Sequence, residues 1–154
     1  MVRATGILLA CCLVTAAGCG GGGRPHATGP ADDRYFDGVT FAAVERCVSA
    51  LGRPVSPRLP PALRHEVVAV RRGGGDAFAV PYERARVAGV YSFFVYISPS
   101  AAQVGVRRLK RLVARNLDAG DPVGGVLEAR NLVVASFDPL PAPIVRSFRR
   151  CAAQ

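Results

Sequence analysis

The chain has 154 residues, of which 50% are hydrophobic and 20% are charged, with 20 Lys and Arg against 11 Asp and Glu. This length and composition allow one domain with an apolar core, and they exclude an intrinsically disordered chain and a protein with several membrane spans. The excess of basic residues, a formal net charge of +9, is the strongest compositional feature.

The N-terminus has the pattern of a secretory signal peptide. Arg3 supplies an early positive charge, and an apolar run from Ile7 to Ala17 follows it, interrupted by Thr15. This run is too short for a membrane-spanning helix, which needs about 20 apolar residues. A charged start, a short apolar segment and small residues at its end together predict export.

The small residues 16–18 stand directly before Cys19, and this sequence resembles the lipobox of bacterial lipoproteins. The resemblance implies that residues 1–18 are removed as a signal peptide and that the sulfur of Cys19 carries lipid on the outer face of the cell membrane. Residues 19–35 are predicted to be a flexible tether, because they are rich in glycine and poor in core-forming residues. The alternative is an ordinary cleaved signal peptide and a secreted protein.

Cysteine usage agrees with export. Cys11 and Cys12 belong to the signal peptide and Cys19 is the expected lipid site, which leaves Cys47 and Cys151 as one pair in the predicted domain, residues 36–154. Paired cysteines in exported domains usually form a disulfide. The helical periodicity around each residue also places both on core-facing sides of the first and last predicted helices. Two buried free thiols are the alternative, because spacing does not show connectivity.

The predicted domain begins with a helix and a pair of strands. The helix starts at Asp37 or Thr40 and ends near Leu51, with apolar residues repeating every three or four positions. After a proline-rich connection, Glu66–Arg71 is predicted to be a strand because of its valines, and Ala77–Val80 its partner across a glycine-rich turn.

The clearest predicted strand is Val87–Ile97, which is apolar on both faces and should therefore be central in its sheet. Before it, Pro81–Arg86 fits either a loop or a short helix. The remaining predicted elements are a helix from Ser98 to about Leu117, a hairpin of Val126–Ala129 and Leu132–Phe137, and a last helix ending at Cys151. This order, α-β-β-(β)-α-β-β-α, predicts an α+β fold of two layers, with helices on one face of a mainly antiparallel sheet.

Positive charge concentrates on one side of the helix that follows Ser98. At helical spacing the basic residues oppose the apolar Val106, Leu109, Leu112 and Val113. They are Arg107, Arg108, Lys110, Arg111 and Arg115. One interpretation is a solvated helix face in an arginine-rich protein. The other is a binding surface for a polyanion, either anionic lipid or wall polymer, formed by Arg107, Arg108, Arg111 and Arg115. Export argues against nucleic acid as the partner.

Residues that support catalysis or metal binding are scarce in the predicted domain. His65 is the one histidine outside the tether, and no nucleophile–base motif accompanies it. Zinc sites need three or four Cys or His ligands, so no metal or cofactor is expected.

The sequence favours a lipid-anchored, non-catalytic binding or interaction domain of the cell envelope. The alternative is a small envelope enzyme, or enzyme accessory, that acts on wall or lipid material through His65 and Glu66.

Overall fold

The computed structural model describes residue 35 and residues 37–84, 87–115 and 124–154. The predicted signal peptide, Cys19, the tether up to residue 34 and the predicted end, near Leu117, of the helix that follows Ser98 lie outside the described residues. Every contact reported below falls between residues 35 and 154. A chain that starts at residue 20 therefore retains all of these contacts.

A four-stranded antiparallel sheet forms the centre of the fold. The strands are β1 (Asp76–Arg84), β2 (Val87–Val95), β3 (Val126–Ala129) and β4 (Leu132–Ala135), in the order β1-β2-β4-β3. In the register of the sheet, Phe93 of β2 lies between Phe78 of β1 and Val134 of β4. The predicted central position of β2 and the predicted hairpin of β3 and β4 are both confirmed.

Helices cover both faces of this sheet. They are α1 (Phe41–Ala50), α2 (Arg64–Arg72), which follows a 3-10 turn at Pro61–Leu63, α3 (Pro99–Arg115) and α4 (Ala142–Ala152). On one face, Phe78 and Phe93 pack with α1 and α4, and on the other face, Phe94 packs with α2 and α3.

The α+β class and the antiparallel sheet are therefore confirmed, but the prediction that the helices share one face is wrong. The physical reason lies in the central strands, because every residue of β4 and residues 91–95 of β2 are buried. A strand that is apolar on both sides needs a covering layer on each side. The result is three layers, helix on sheet on helix, where two were predicted.

The prediction of a strand at Glu66–Arg71 is also wrong, because these residues belong to α2. Valine has a preference for β-strands, but the packing of this segment against the rest of the fold overrides that preference here. Val67 and Val70, three positions apart, are buried on one side of the helix, while Val68 is exposed. β1 pairs with β2 instead, and it extends through residues 81–84, where a loop or short helix was predicted.

A disulfide joins the two helices on one face of the sheet. The sulfur atoms of Cys47 on α1 and Cys151 on α4 are 2.08 Å apart, and the Cα atoms are 5.7 Å apart. Val48 and Phe148 lie in the same buried cluster. The predicted pairing of these two cysteines is confirmed.

Candidate anion-binding surface

The outward side of α3 carries the cationic residues that the sequence pattern singled out. Their side chains are exposed, whereas Leu109 and Val113 on the opposite side of the helix are buried against the sheet. The exposed basic residues of α3 are Arg107, Arg108, Lys110, Arg111 and Arg115. Because α3 contains no Asp or Glu, no acidic neighbour within the helix neutralises this surface, which we call the α3 basic face.

Arg108 is the member of the α3 basic face that forms an ion pair among the described residues. Its Nε donates a hydrogen bond to Oε2 of Glu66 at 2.7 Å, and its Nη2 donates to Oε1 at 2.8 Å. The side chain of Arg108 nevertheless remains 43% exposed. A carboxylate from α2 therefore holds the guanidinium of this exposed arginine in one orientation.

Glu66 is buried and also accepts a hydrogen bond from the hydroxyl of Tyr96, which is 2.9 Å from Oε1. The hydrogen bond with Glu66 raises the pKa of Arg108 above its usual value. Burial, together with the negative charge of Glu66, raises the pKa of the Tyr96 hydroxyl. Arg108 therefore stays charged and Tyr96 stays neutral, so this network holds its protons and acts as a fixed support for Arg108.

Gly105 allows α3 to pass directly over Tyr96. A Cβ atom at Gly105 would overlap the hydroxyl and ring of Tyr96, and Arg108 follows one turn later in the helix. This close approach places Arg108 above the carboxylate that Tyr96 also contacts. Glycine in the middle of a helix is otherwise unfavourable, so the packing against Tyr96 explains its presence here.

We expect Gly105→Ala to lower the free energy of unfolding by about 2 kcal/mol, because the buried Tyr96 ring must shift and lose its bond to Glu66. The gain in helix propensity, about 1 kcal/mol, offsets the loss only in part. Chemical denaturation measures the change. Gly73→Ala is the control, since its added Cβ would make only ordinary contacts of 3.4 Å. A Gly105→Ala protein as stable as the wild type would show that Tyr96 is not held as described.

A groove of about 410 Å³ lies along the α3 basic face. It is lined by Arg108, Arg111, Leu112 and Arg115. Guanidinium groups bind phosphate and carboxylate groups through paired hydrogen bonds, and Arg108 uses only part of its N–H donors on Glu66. Three arginine side chains therefore line one groove, which gives an anionic group several cationic partners within one surface.

The pair proposed for catalysis, His65 and Glu66, does not converge on a reaction site. His65 is exposed on α2, whereas the neighbouring Glu66 points inward and bonds to Arg108 and Tyr96. Adjacent residues of a helix point in directions about 100° apart, so they do not face a common substrate. Within the described ranges, no group of three or more His, Cys, Asp and Glu residues is placed to hold a metal ion.

A second groove, about 490 Å³, lies beside the β1–β2 hairpin and includes Tyr82 and Asp138 in its lining. The Tyr82 hydroxyl donates a hydrogen bond to the Asp138 carboxylate, and its ring stacks on Tyr91 with centroids 4.3 Å apart. A Cβ at Gly89 would overlap the Tyr82 ring, so that ring covers the glycine of the neighbouring strand. The tyrosine hydroxyl and the carboxylate of this groove are bonded to each other, and none of the described residues that line it is basic.

The prediction of a polyanion-binding surface had included Arg107, Arg108, Arg111 and Arg115 but missed Glu66 and Tyr96. Glu66 follows the buried Leu63 by three positions and precedes the buried Val70 by four, which is the spacing of one helix face. That signal was hidden by the interpretation of this segment as a strand. Nothing in the spacing of Tyr96 and Arg108 predicted their contact with Glu66.

Among the helices that the structure describes, none has both the length and the apolar composition to cross a bilayer. Comparison with protein-family models, with curated proteins and with solved structures finds no match to this chain.

Proposed function

We propose that the protein is a lipid-anchored, outward-facing envelope protein that binds polyanions through the α3 basic face and catalyses no reaction. The observation that carries this proposal is the groove on a helix without acidic residues, which is lined by Arg108, Arg111 and Arg115 together with one apolar side chain. The lipobox-like sequence at Cys19 supports the location, and it lies outside the described residues.

The energetics favour binding to an extended anionic surface. A basic residue near such a surface contributes about 1 kcal/mol before screening, so several together give affinity without a deep pocket. A flexible chain as long as the predicted tether, sixteen residues from 19 to 34, spans on the order of 20–25 Å, so we expect lipid at Cys19 to raise the effective concentration of the folded part at the membrane. The pair of Arg108 with Glu66 reduces the entropy lost when that side chain binds an anion.

The test compares two variants with the same loss of charge. One is Arg107→Gln/Arg111→Gln/Arg115→Gln on α3, and the other replaces the three exposed arginines of α4, Arg146, Arg149 and Arg150, on the opposite face of the sheet. Both sets are exposed, so each variant should stay within about 0.5 kcal/mol of wild-type stability per substitution.

We expect the α3 variant to elute from immobilised heparin, a model polyanion, at a much lower salt concentration than the wild type. The α4 variant should elute close to the wild type. If the elution salt concentration falls equally for the two variants, net charge, and not the α3 basic face, sets the affinity for heparin. A wild-type protein that is not retained at all would remove the proposal.

The lipid anchor makes a separate prediction. Cys19→Ala should release the protein from the membrane fraction or leave an uncleaved precursor, because the proposed lipid attachment point is lost. Membrane fractionation with intact mass measurement distinguishes these results, and Cys12→Ala in the signal peptide is the matched control. Normal processing and unchanged fractionation of the Cys19→Ala protein would contradict the lipoprotein assignment.

A further inference from the structure

We infer that the anionic partner is the phospholipid surface of a bilayer, and that the outer side of the α2/α3 layer lies against it. The inference rests on the proposed function and adds the partner and the orientation. A membrane and a dissolved wall polymer both carry negative charge, so the distinction must come from features other than the arginines.

The first such feature is apolar. Among the described residues, the large hydrophobic side chains that are exposed are Val68 on α2, at 39%, and Val104 on α3, at 42%. Both belong to the same helix layer, and Val104 precedes Arg107 and Arg108 by three and four positions, which places it beside them on the helix surface. A hydrated polymer offers these valines no apolar partner, whereas the boundary between headgroups and acyl chains does.

The second feature is the charge of α2. Arg64 and Arg72 are exposed on this helix, and its one acidic residue, Glu66, is buried against Arg108. Neither α2 nor α3 therefore presents a carboxylate to the solvent. Because Glu66 and Arg108 join the helices side by side, their outer surfaces form one layer of cationic and apolar residues, the composition of an interfacial membrane surface.

The third feature is the groove of the α3 basic face. Arg108, Arg111 and Arg115 line it around the half-buried Leu112. Because a guanidinium can bind two phosphate oxygens through paired hydrogen bonds, the arginines that line this groove suit the phosphate of a lipid headgroup. The remaining cations of the layer then attract neighbouring headgroups without a defined site.

The tether permits this orientation. Tyr35, where the described chain begins, packs in the cluster between the sheet and the α1/α4 layer, away from the proposed docking surface. Three layers of helix, sheet and helix are about 30 Å thick. A chain of sixteen residues, the length of the predicted tether, can extend to at most about 50 Å, beyond its average span, so this length allows the lipid and the α2/α3 layer to contact one membrane together.

The test uses the chain from residue 20 onward, so that the lipid and the signal peptide do not contribute. The probes are vesicles of phosphatidylglycerol and phosphatidylcholine, vesicles of phosphatidylcholine alone, and soluble heparin. The test variant is Val68→Ser/Val104→Ser, which removes apolar surface and leaves every charge in place. Val145→Ser, at a half-buried position of α4, is the control, and a thermal melt of each variant verifies folding.

We expect the wild type to bind the mixed vesicles and not the phosphatidylcholine vesicles. The double serine variant should bind the mixed vesicles about fivefold more weakly and bind heparin as the wild type does. Heparin binding without vesicle binding would overturn the membrane assignment in favour of a dissolved polymer and leave the proposed function standing. Equal vesicle binding by the double variant and the wild type would overturn the apolar contact on which the proposed orientation rests. A wild-type protein that binds neither the mixed vesicles nor heparin would overturn the proposed function itself.

Discussion

Replacing Cys47 and Cys151 together with alanine should lower the free energy of unfolding by about 4–5 kcal/mol. The disulfide closes a loop with a sequence separation of 104 residues, so it removes many conformations from the unfolded chain. It also joins α1 to α4, the first and last helices described, on one face of the sheet. Urea denaturation of the double variant and the wild type measures the difference.

The wild-type protein in excess reductant is the matched control, since it loses the same crosslink and keeps both sulfur atoms. It should unfold at nearly the same urea concentration as the double variant. A loss below about 1 kcal/mol in both samples would contradict the role given to this disulfide.

Replacing Asn131 with alanine should lower the free energy of unfolding by about 3–5 kcal/mol, the second large effect. Asn131 is fully buried in the turn between β3 and β4. Its Oδ1 accepts a hydrogen bond from the backbone nitrogen of Val39 at 2.7 Å, and its Nδ2 donates to the carbonyl oxygens of Val39 at 2.8 Å and Tyr96 at 2.7 Å. Alanine leaves these three buried backbone groups without their partner, and denaturant unfolding measures the cost.

A double-mutant cycle with Gly38 tests this explanation. A Cβ atom at Gly38 would overlap the side-chain amide of Asn131, so Gly38→Ala alone should also destabilise the protein. In the Gly38→Ala/Asn131→Ala protein the overlap disappears, and the combined loss should be smaller than the sum of the two single losses. Strictly additive losses would show that the two residues do not act through one contact.

The sequence predicted much of the secondary structure because the relevant signals are local. Thr40 was one of the two predicted start positions of the first helix, and it is the N-cap of α1. Its hydroxyl accepts a hydrogen bond from the backbone nitrogen of Ala43 at 3.2 Å. The number of layers was predicted wrongly, although the apolar pattern of β2 already indicated burial on both faces. A strand that is buried on both faces needs helices on both sides of its sheet, so this pattern is incompatible with helices on one face only.

The contacts that support the candidate site could not be predicted from the sequence. Glu66 meets Arg108 across 42 positions and Tyr96 across 30, and Asn131 meets Val39 across 92. Such pairs depend on how the layers pack against each other, and the spacing of apolar residues along the sequence does not predict that packing. Arg108 shows the functional consequence, because its place on the basic face was predictable and its bond to a buried carboxylate was not.

The most direct test of the central claim is a nuclear magnetic resonance titration of the chain from residue 20 onward with a short heparin oligosaccharide at low salt. The account predicts that the largest chemical-shift changes fall between Val104 and Arg115 and fade as ionic strength rises, because salt screens exposed charges. Changes of equal size at Arg146, Arg149 and Arg150 of α4, or changes spread evenly over the surface, would contradict the claim that the α3 basic face is the binding surface.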